Sequence, residues 1–462
     1  MKNKTIKYTT TLTILSITLL GIIVGIFWAG KAHYGLILGL FLTLSVGYRG
    51  GYTLKELIKM MESGVKKAMI VLVIMGLIGM LSALWMKSGT IPAMMLLGFQ
   101  YLTKMNFLLA TFLITSVISL VLGTSIGTMT TIGIPLMEIG NAIGSPLPAV
   151  AGAIISGAYI GDRTSPMSSS ANLTAAVTET KLMDMIKEML KTLLPVGIIC
   201  IVAYYLLGNA YAVNGEVYQR VEEIKHLMNS YFTIQWYSLI PPLAIILLAL
   251  FKVPILYCLM TGLMSSMVLV LYSQNVGIVE LMEVMVKGYI ATNIQVAELL
   301  SGGGLVSMKN VLIIITASTA LNGLMESMGM LEPLMKNFLK GIKNSGHLIY
   351  KTATLSIMIS AATCNQSLAI IIPSRFLREE YIKREIATEK LGRTIGDSGV
   401  VSVGLIPWNV NAIAITSILG VPTLQYLPYA FLCVLLPIVT VIYGFIETIK
   451  ESKGIEKIEE RT

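Results

Sequence analysis

The chain has 462 residues, of which 55% are hydrophobic and only 13% charged, with a net charge of +9. An ordinary soluble domain carries about 25% charged residues, so this balance excludes a soluble globular enzyme or a disordered chain. The excess of Lys and Arg does not indicate nucleic acid; in a membrane protein it marks the cytoplasmic loops.

In chain order, the first apolar run is TLTILSITLLGIIVGIFWA (11–29), behind Lys2, Lys4 and Lys7. Its length and the absence of a convincing small-x-small cleavage site make it a first transmembrane helix and not a secretory signal. AMIVLVIMGLIGMLSALWM (68–86) and PYAFLCVLLPIVTVIYGFI (428–446) likewise approach the roughly 20 residues that a helix needs to cross a bilayer. The sequence predicts an all-α polytopic membrane protein. Cys200, Cys258, Cys364 and Cys433 are scattered, without metal-ligand spacing, and read as small core residues. The 28 methionines read as packing and bilayer-facing residues.

Similar segments recur in the same order. ELIKMMESG (56–64) pairs with ELMEVMVKG (280–288), LIG before Pro92 with LNG before Pro333, and the stretch ending at Pro135 with that ending at Pro373. GDRTSPMSSSAN (161–172) pairs with GDSGVVSVGLIPWNVN (396–411). Basic residues alternate between equivalent loops. Residues 49–67 hold five and 275–288 only Lys287, whereas 138–149 hold none and 375–393 hold six. Lys181, Lys187 and Lys191 follow the first aspartate motif, and 413–428 has none. Equivalent loops therefore fall on opposite sides, the mark of two inverted-topology repeats. The expected division is a first repeat at 1–210, an extracytoplasmic linker at 211–235, a second repeat at 236–449 and a cytoplasmic tail at 450–462. Both termini then face the cytoplasm. The short, Gly- and Pro-interrupted stretches 89–103, 123–140, 363–374 and 394–420 predict broken helices and point to a transport site.

Within GDRTSPMSSSAN, Pro166 and the serines disfavour a continuous helix. Irregular backbone at membrane depth must be buried in protein or line a cavity. Hydroxyls, an amide, freed carbonyls and one carboxylate make an oxygen-rich environment suited to a hard cation such as sodium. Asp162 is the expected sodium- and proton-binding group, because a carboxylate inside a membrane is costly to keep. Asp397 is its repeat mate. Thr164, Ser165, Ser168, Ser169, Asn172, Asn409 and Asn411 are candidate neutral ligands. The plainer alternative is that each aspartate belongs to an ion pair or a helix cap, since Arg163 adjoins Asp162 and Arg393 lies one turn before Asp397. Thr124, Ser125 and Thr128 lie in GTSIGTMTTIGIP, which either lines the site as a re-entrant hairpin or lets helices approach closely. Asn365, Gln366 and Ser367 occupy the equivalent stretch. Asn322 and Glu326, one turn apart, add a possible second proton carrier.

GTSIGTMTTIGIPLM followed by AGAIISGAYIGDRTSPMSSSANL resembles the NhaC family of sodium/proton antiporters, as do SGTIP (88–92) and GDSGVVSVGLIPWNVN, over most of residues 50–420. The resemblance implies inverted repeats with re-entrant hairpins, sodium and protons as coupling ions with no cofactor, Asp162 as a central carboxylate, and a multi-pass prokaryotic plasma-membrane protein that could pair as a homodimer. Many members carry an aspartate where this chain has Ser169. The family also includes carriers of organic acids and amino acids, so a sodium-coupled carrier of a small organic solute is the alternative. No nucleophile-and-base arrangement for an enzyme is present.

Overall fold

The computed structural model describes residues 8–29, 33–102, 105–211, 215–273, 276–330, 338 and 341–459. Pro333, used above to align the repeats, lies outside them, as do Lys2, Lys4 and Lys7.

The first half begins with α1 (Tyr8–Ala29) and α2 (His33–Arg49), packed as a pair. The amphipathic α3 (Leu54–Lys67) starts at Thr53, whose side chain and that of Glu56 cap each other's backbone N–H groups. Then come α4 (Met69–Lys87), α5 (Thr90–Tyr101) and α6 (Phe107–Leu122). A re-entrant segment follows: α7 (Ser125–Thr128), a π turn at Met129–Gly133 and α8 (Ile134–Ala142). The helix α9 (Leu147–Thr164) breaks at 165–168 before α10 (Ser169–Thr178), and α11 (Leu182–Ala210) closes the half.

After α12 (Gly215–Tyr231) the order repeats. The pair α13 (Ile240–Leu250) and α14 (Ile255–Ser273) stands for α1 and α2, and α15 (Ile278–Lys287) for α3. A two-residue hairpin, β1 (Tyr289–Ile290) with β2 (Ser301–Gly302), encloses α16 (Ile294–Leu299). The equivalents of α4 and α6 are α17 (Lys309–Ser327) and α18 (Ser345–Thr363). The re-entrant helix is α19 (Gln366–Lys383). Next comes α20 (Thr388–Ile395), extended by a π turn at Gly396–Val400 and a 3-10 turn at Ser402–Leu405. A break at 406–409 leads to α21 (Val410–Leu419), with a bend of 54° between the two arms. The short α22 (Thr423–Tyr426) and the long α23 (Phe431–Glu459) complete the fold.

Among the described residues, α4, α11, α14, residues 306–327 and the 431–449 part of α23 are long and apolar enough to cross a membrane. Leu194, Ile198 and Leu206 on α11 and Met264 and Val268 on α14 are each more than half exposed. Side chains of this kind in water would be an aggregation surface; against lipid they are the expected outer face.

The halves exchange contacts reciprocally. The helix α4 packs on α14 and α15 of the second half, and α17 packs on α2 and α3 of the first. Near the centre α10 lies on α19, and α21 lies on the first-half hairpin. Likewise α11 packs on α20, and α23 on α9. Two halves related by a pseudo-two-fold axis give this pattern.

Candidate functional site

The site is built from close helix approach. In the SGAYIG segment of α9, a Cβ on Gly157 would stand 2.0 Å from the Thr115 Oγ1, and one on Gly161 would stand 1.9 Å from the Ser119 carbonyl oxygen. Only glycine at this four-residue spacing lets α6 and α9 touch backbone to backbone. The Ser119 hydroxyl joins them, donating to the Ala158 carbonyl and accepting from the Gly161 N–H at 3.0 Å. This contact fixes Asp162, the next residue, one turn before the break.

Each half then folds its breaks against each other. Gly123 ends α6 in the left-handed region (φ 65°), and a Cβ there would meet the Met167 carbonyl carbon at 2.6 Å. Its counterpart Cys364 ends α18 in the same conformation (φ 54°), and its carbonyl accepts from the Val410 N–H at 3.4 Å. Helices start immediately beyond these turns. Thr124 caps α7, Ser168 caps α10, Asn365 caps α19 and Asn409 caps α21.

Asp162 is 6% exposed and sits where these starts converge. Its Oδ2 accepts from the Ser125 hydroxyl at 2.8 Å and from the Gln366 amide at 3.3 Å. Its Oδ1 accepts from the Ser170 hydroxyl at 2.9 Å and from Ser168 at 3.5 Å, and the same two hydroxyls reach its backbone carbonyl. Gln366 comes from the other half, and its Oε1 accepts from the Asn411 amide at 3.0 Å. Tyr159, one turn earlier on α9, is fully buried, its hydroxyl packed against Gly404. Among the described residues no cation pairs with Asp162, and the carboxylate is held by neutral donors.

The other sequence candidates fall elsewhere. Ser169 is the exposed first residue of α10; because Ser168 caps that helix, the hydroxyl that turns back to the carboxylate is Ser170, which the sequence reading omits. Asn172 braces the break by donating to the carbonyls of Pro166 at 3.0 Å and Ser168 at 2.7 Å. Ser165 donates to the Leu120 carbonyl at 2.7 Å, and Thr164 to Ile160 within its own helix. Thr128 bonds back to the Thr124 carbonyl at 2.7 Å. Asn409 uses its carbonyl as the cap of α21 and its amide on the Ser360 carbonyl at 3.0 Å. Ser367 is exposed in the first turn of α19. Asn322 is buried in α17, its Oδ1 without a hydrogen-bond partner, and has no contact with Asp162. Glu326 is one-third exposed and pairs with Lys67 of α3 at 2.8 Å.

Neither aspartate pairs with its sequence-local arginine. Arg163 reaches across to the carboxylate of Asp397, and both side chains are fully buried. The Thr192 hydroxyl accepts from Arg163 at 2.9 Å and donates to the other oxygen of Asp397 at 2.8 Å. Arg393 instead pairs with Glu188 at 2.8 Å and Glu447 at 3.4 Å. Arg163 and Asp397 thus join α9 of the first half to the π turn of the second.

An all-α membrane protein of two inverted repeats, whose broken helices meet at one buried carboxylate drawn from both halves, has the architecture of a secondary transporter. Residues 157–447 match the Na+/H+ antiporter family, and the chain belongs to that family. It is 30% identical over 420 residues to the Na(+)/H(+) antiporter NhaC of Bacillus subtilis, covering 90% of this chain and 93% of that protein. It is 29% identical to the malate-2H(+)/Na(+)-lactate antiporter of the same organism, covering 88% and 87% of the two chains. It is 32% identical to the arginine/ornithine antiporter ArcD of Halobacterium salinarum, covering 86% and 83%. These relatives are named as transporters, not enzymes.

Proposed function

We propose that the protein exchanges sodium for protons by alternating access, with Asp162 as the group that holds either ion. The observation that carries this reading is the buried carboxylate surrounded by neutral oxygen-bearing side chains, Ser125, Ser168, Ser170 and Gln366, contributed by both halves. A proton on Asp162 neutralises it. When the proton leaves, the carboxylate and the hydroxyl oxygens supply a set suited to a hard monovalent cation. Because one set of atoms serves both ions, their competition gives exchange once the site faces each side in turn. Both termini are assigned to the cytoplasm from the basic loops, and no cofactor is required.

A second reading has its own support. The first turns of the re-entrant segment at Ser125 and of α10, α19 and α21 meet here, since Ser125, Ser170 and Gln366 bond Asp162 and Asn411 bonds Gln366, and a helix start carries about half a positive charge. Four such ends exceed what one carboxylate offsets, and so would also favour the carboxylate of an organic solute. The names of the malate/lactate and arginine/ornithine relatives agree with this.

Purified protein in liposomes with a trapped pH dye separates the two. An inward proton gradient is imposed and sodium, lithium or potassium is added without organic solute. Sodium-dependent proton release that disappears in Asp162→Asn is the expected result. No response, with solute-dependent sodium movement in the same vesicles, would transfer the assignment to the organic-solute carrier.

A further inference from the structure

We infer that Arg163 is the resident counter-ion of Asp397, so that Asp162 alone carries an exchangeable charge and each cycle moves one sodium ion against one proton with no net charge. This rests on the antiport reading of Asp162. In that cycle the Asp162 carboxyl releases one proton to water and takes one sodium ion in its place; the reverse occurs on the other side.

The geometry separates two carboxylates that the repeat makes equivalent. Asp162 and Arg163 are consecutive on α9, so their side chains leave the helix about 100° apart. Asp162 faces the helix starts, while Arg163 faces α11 and the π turn that carries Asp397. A guanidinium does not give up its proton in a protein, so Asp397 keeps a fixed positive partner throughout the cycle. Three carboxylate residues are classed as buried among the described residues: Asp162, Glu188 and Asp397. Glu188 is held by Arg393 at 2.8 Å and Lys191 at 2.5 Å. Asp162 is the one without a cation. Glu138, on α8, is half-buried and has no ion-pair partner among the described residues, but lies 13 residues along the first-half re-entrant segment from Ser125, about 20 Å away along a helical axis.

Arg163 is therefore a positioning residue that acts through Asp397, and the readout is stoichiometry. In proteoliposomes clamped with potassium and valinomycin, the sodium and proton gradients that just cancel each other are measured at several membrane potentials. The sodium ratio at that null point is expected to equal the proton ratio at every potential. A null point at the square of the proton ratio, shifting about fifty-fold per 100 mV, would overturn the inference while leaving antiport intact. A wild type in which sodium moves no protons would defeat the antiport reading and this inference with it.

Arg163→Gln leaves Asp397 unpaired and is expected to add a second exchangeable charge, bringing voltage dependence to the null point; Arg163→Lys is expected to keep the equal ratio. Should Arg163→Gln fail to fold, the double variant Arg163→Gln/Asp397→Asn carries the test, since neutralising both members of a buried pair is tolerated far better than removing one. Equal-ratio exchange by the folded double variant supports the inference, and loss of exchange from it overturns it.

Discussion

At Asp162, single hydroxyls have distinct expected effects. Removing one hydrogen bond to a charged group costs about 1.5–3 kcal/mol, and the same hydroxyl is offered to the cation. Ser170→Ala is therefore expected to weaken the apparent sodium affinity by about tenfold or more, measured as the sodium concentration for half-maximal proton release. Ser169→Ala, one residue away on the exposed side of α10, is expected to leave that value unchanged. Glu326→Gln breaks a partly exposed pair with Lys67, so it is expected to change stability by under about 1 kcal/mol and leave exchange intact, checked by melting and transport together. The central carboxylate was legible in the sequence because one acidic group stood among hydroxyls beside a proline. The choice between Ser169 and Ser170 was not, since it depends on which serine caps α10. The partner of Arg163 was equally hidden: it lies more than two hundred positions along the chain, whereas sequence adjacency suggested Asp162.

At the scale of the helix, the two left-handed turns differ in the residue that occupies them. Gly123→Ala would place a methyl carbon within 2.6 Å of backbone that cannot retreat, and is expected to lower the melting temperature by several degrees and to abolish exchange, because it pushes the 165–168 break off α7. Cys364→Gly should be tolerated: it relieves a left-handed non-glycine residue, worth about 1 kcal/mol, against the loss of a small buried thiol. Thermal unfolding in detergent of the two variants side by side checks the contrast. The sequence marked these segments as broken through their Gly and Pro content. It also carried the Gly157 and Gly161 spacing that brings α6 against α9, a four-residue signal for close helix packing directly before the aspartate. The π turns at Met129–Gly133 and Gly396–Val400 had no such signature, because an extra residue in a helical turn is decided by what packs around it.

At the scale of the molecule, the repeated order of segments was legible in the sequence, and loop charge supplies the expected orientation, because lysine and arginine placement is set by the membrane and not by packing. The orientation predicts that a cysteine replacing Glu222, on α12, is labelled by an impermeant reagent from outside intact cells, whereas one replacing Arg384 is labelled only after the cells are opened. What the sequence did not reveal is how thoroughly the halves interlock: α4 lies in the grip of α14 and α15, and α17 in that of α2 and α3. Such an arrangement is that of an antiparallel dimer whose two protomers have been fused. A gene split between codons 211 and 215 should then yield two fragments that are each degraded when made alone and that reconstitute a working carrier when made together, each serving as the folding template of the other.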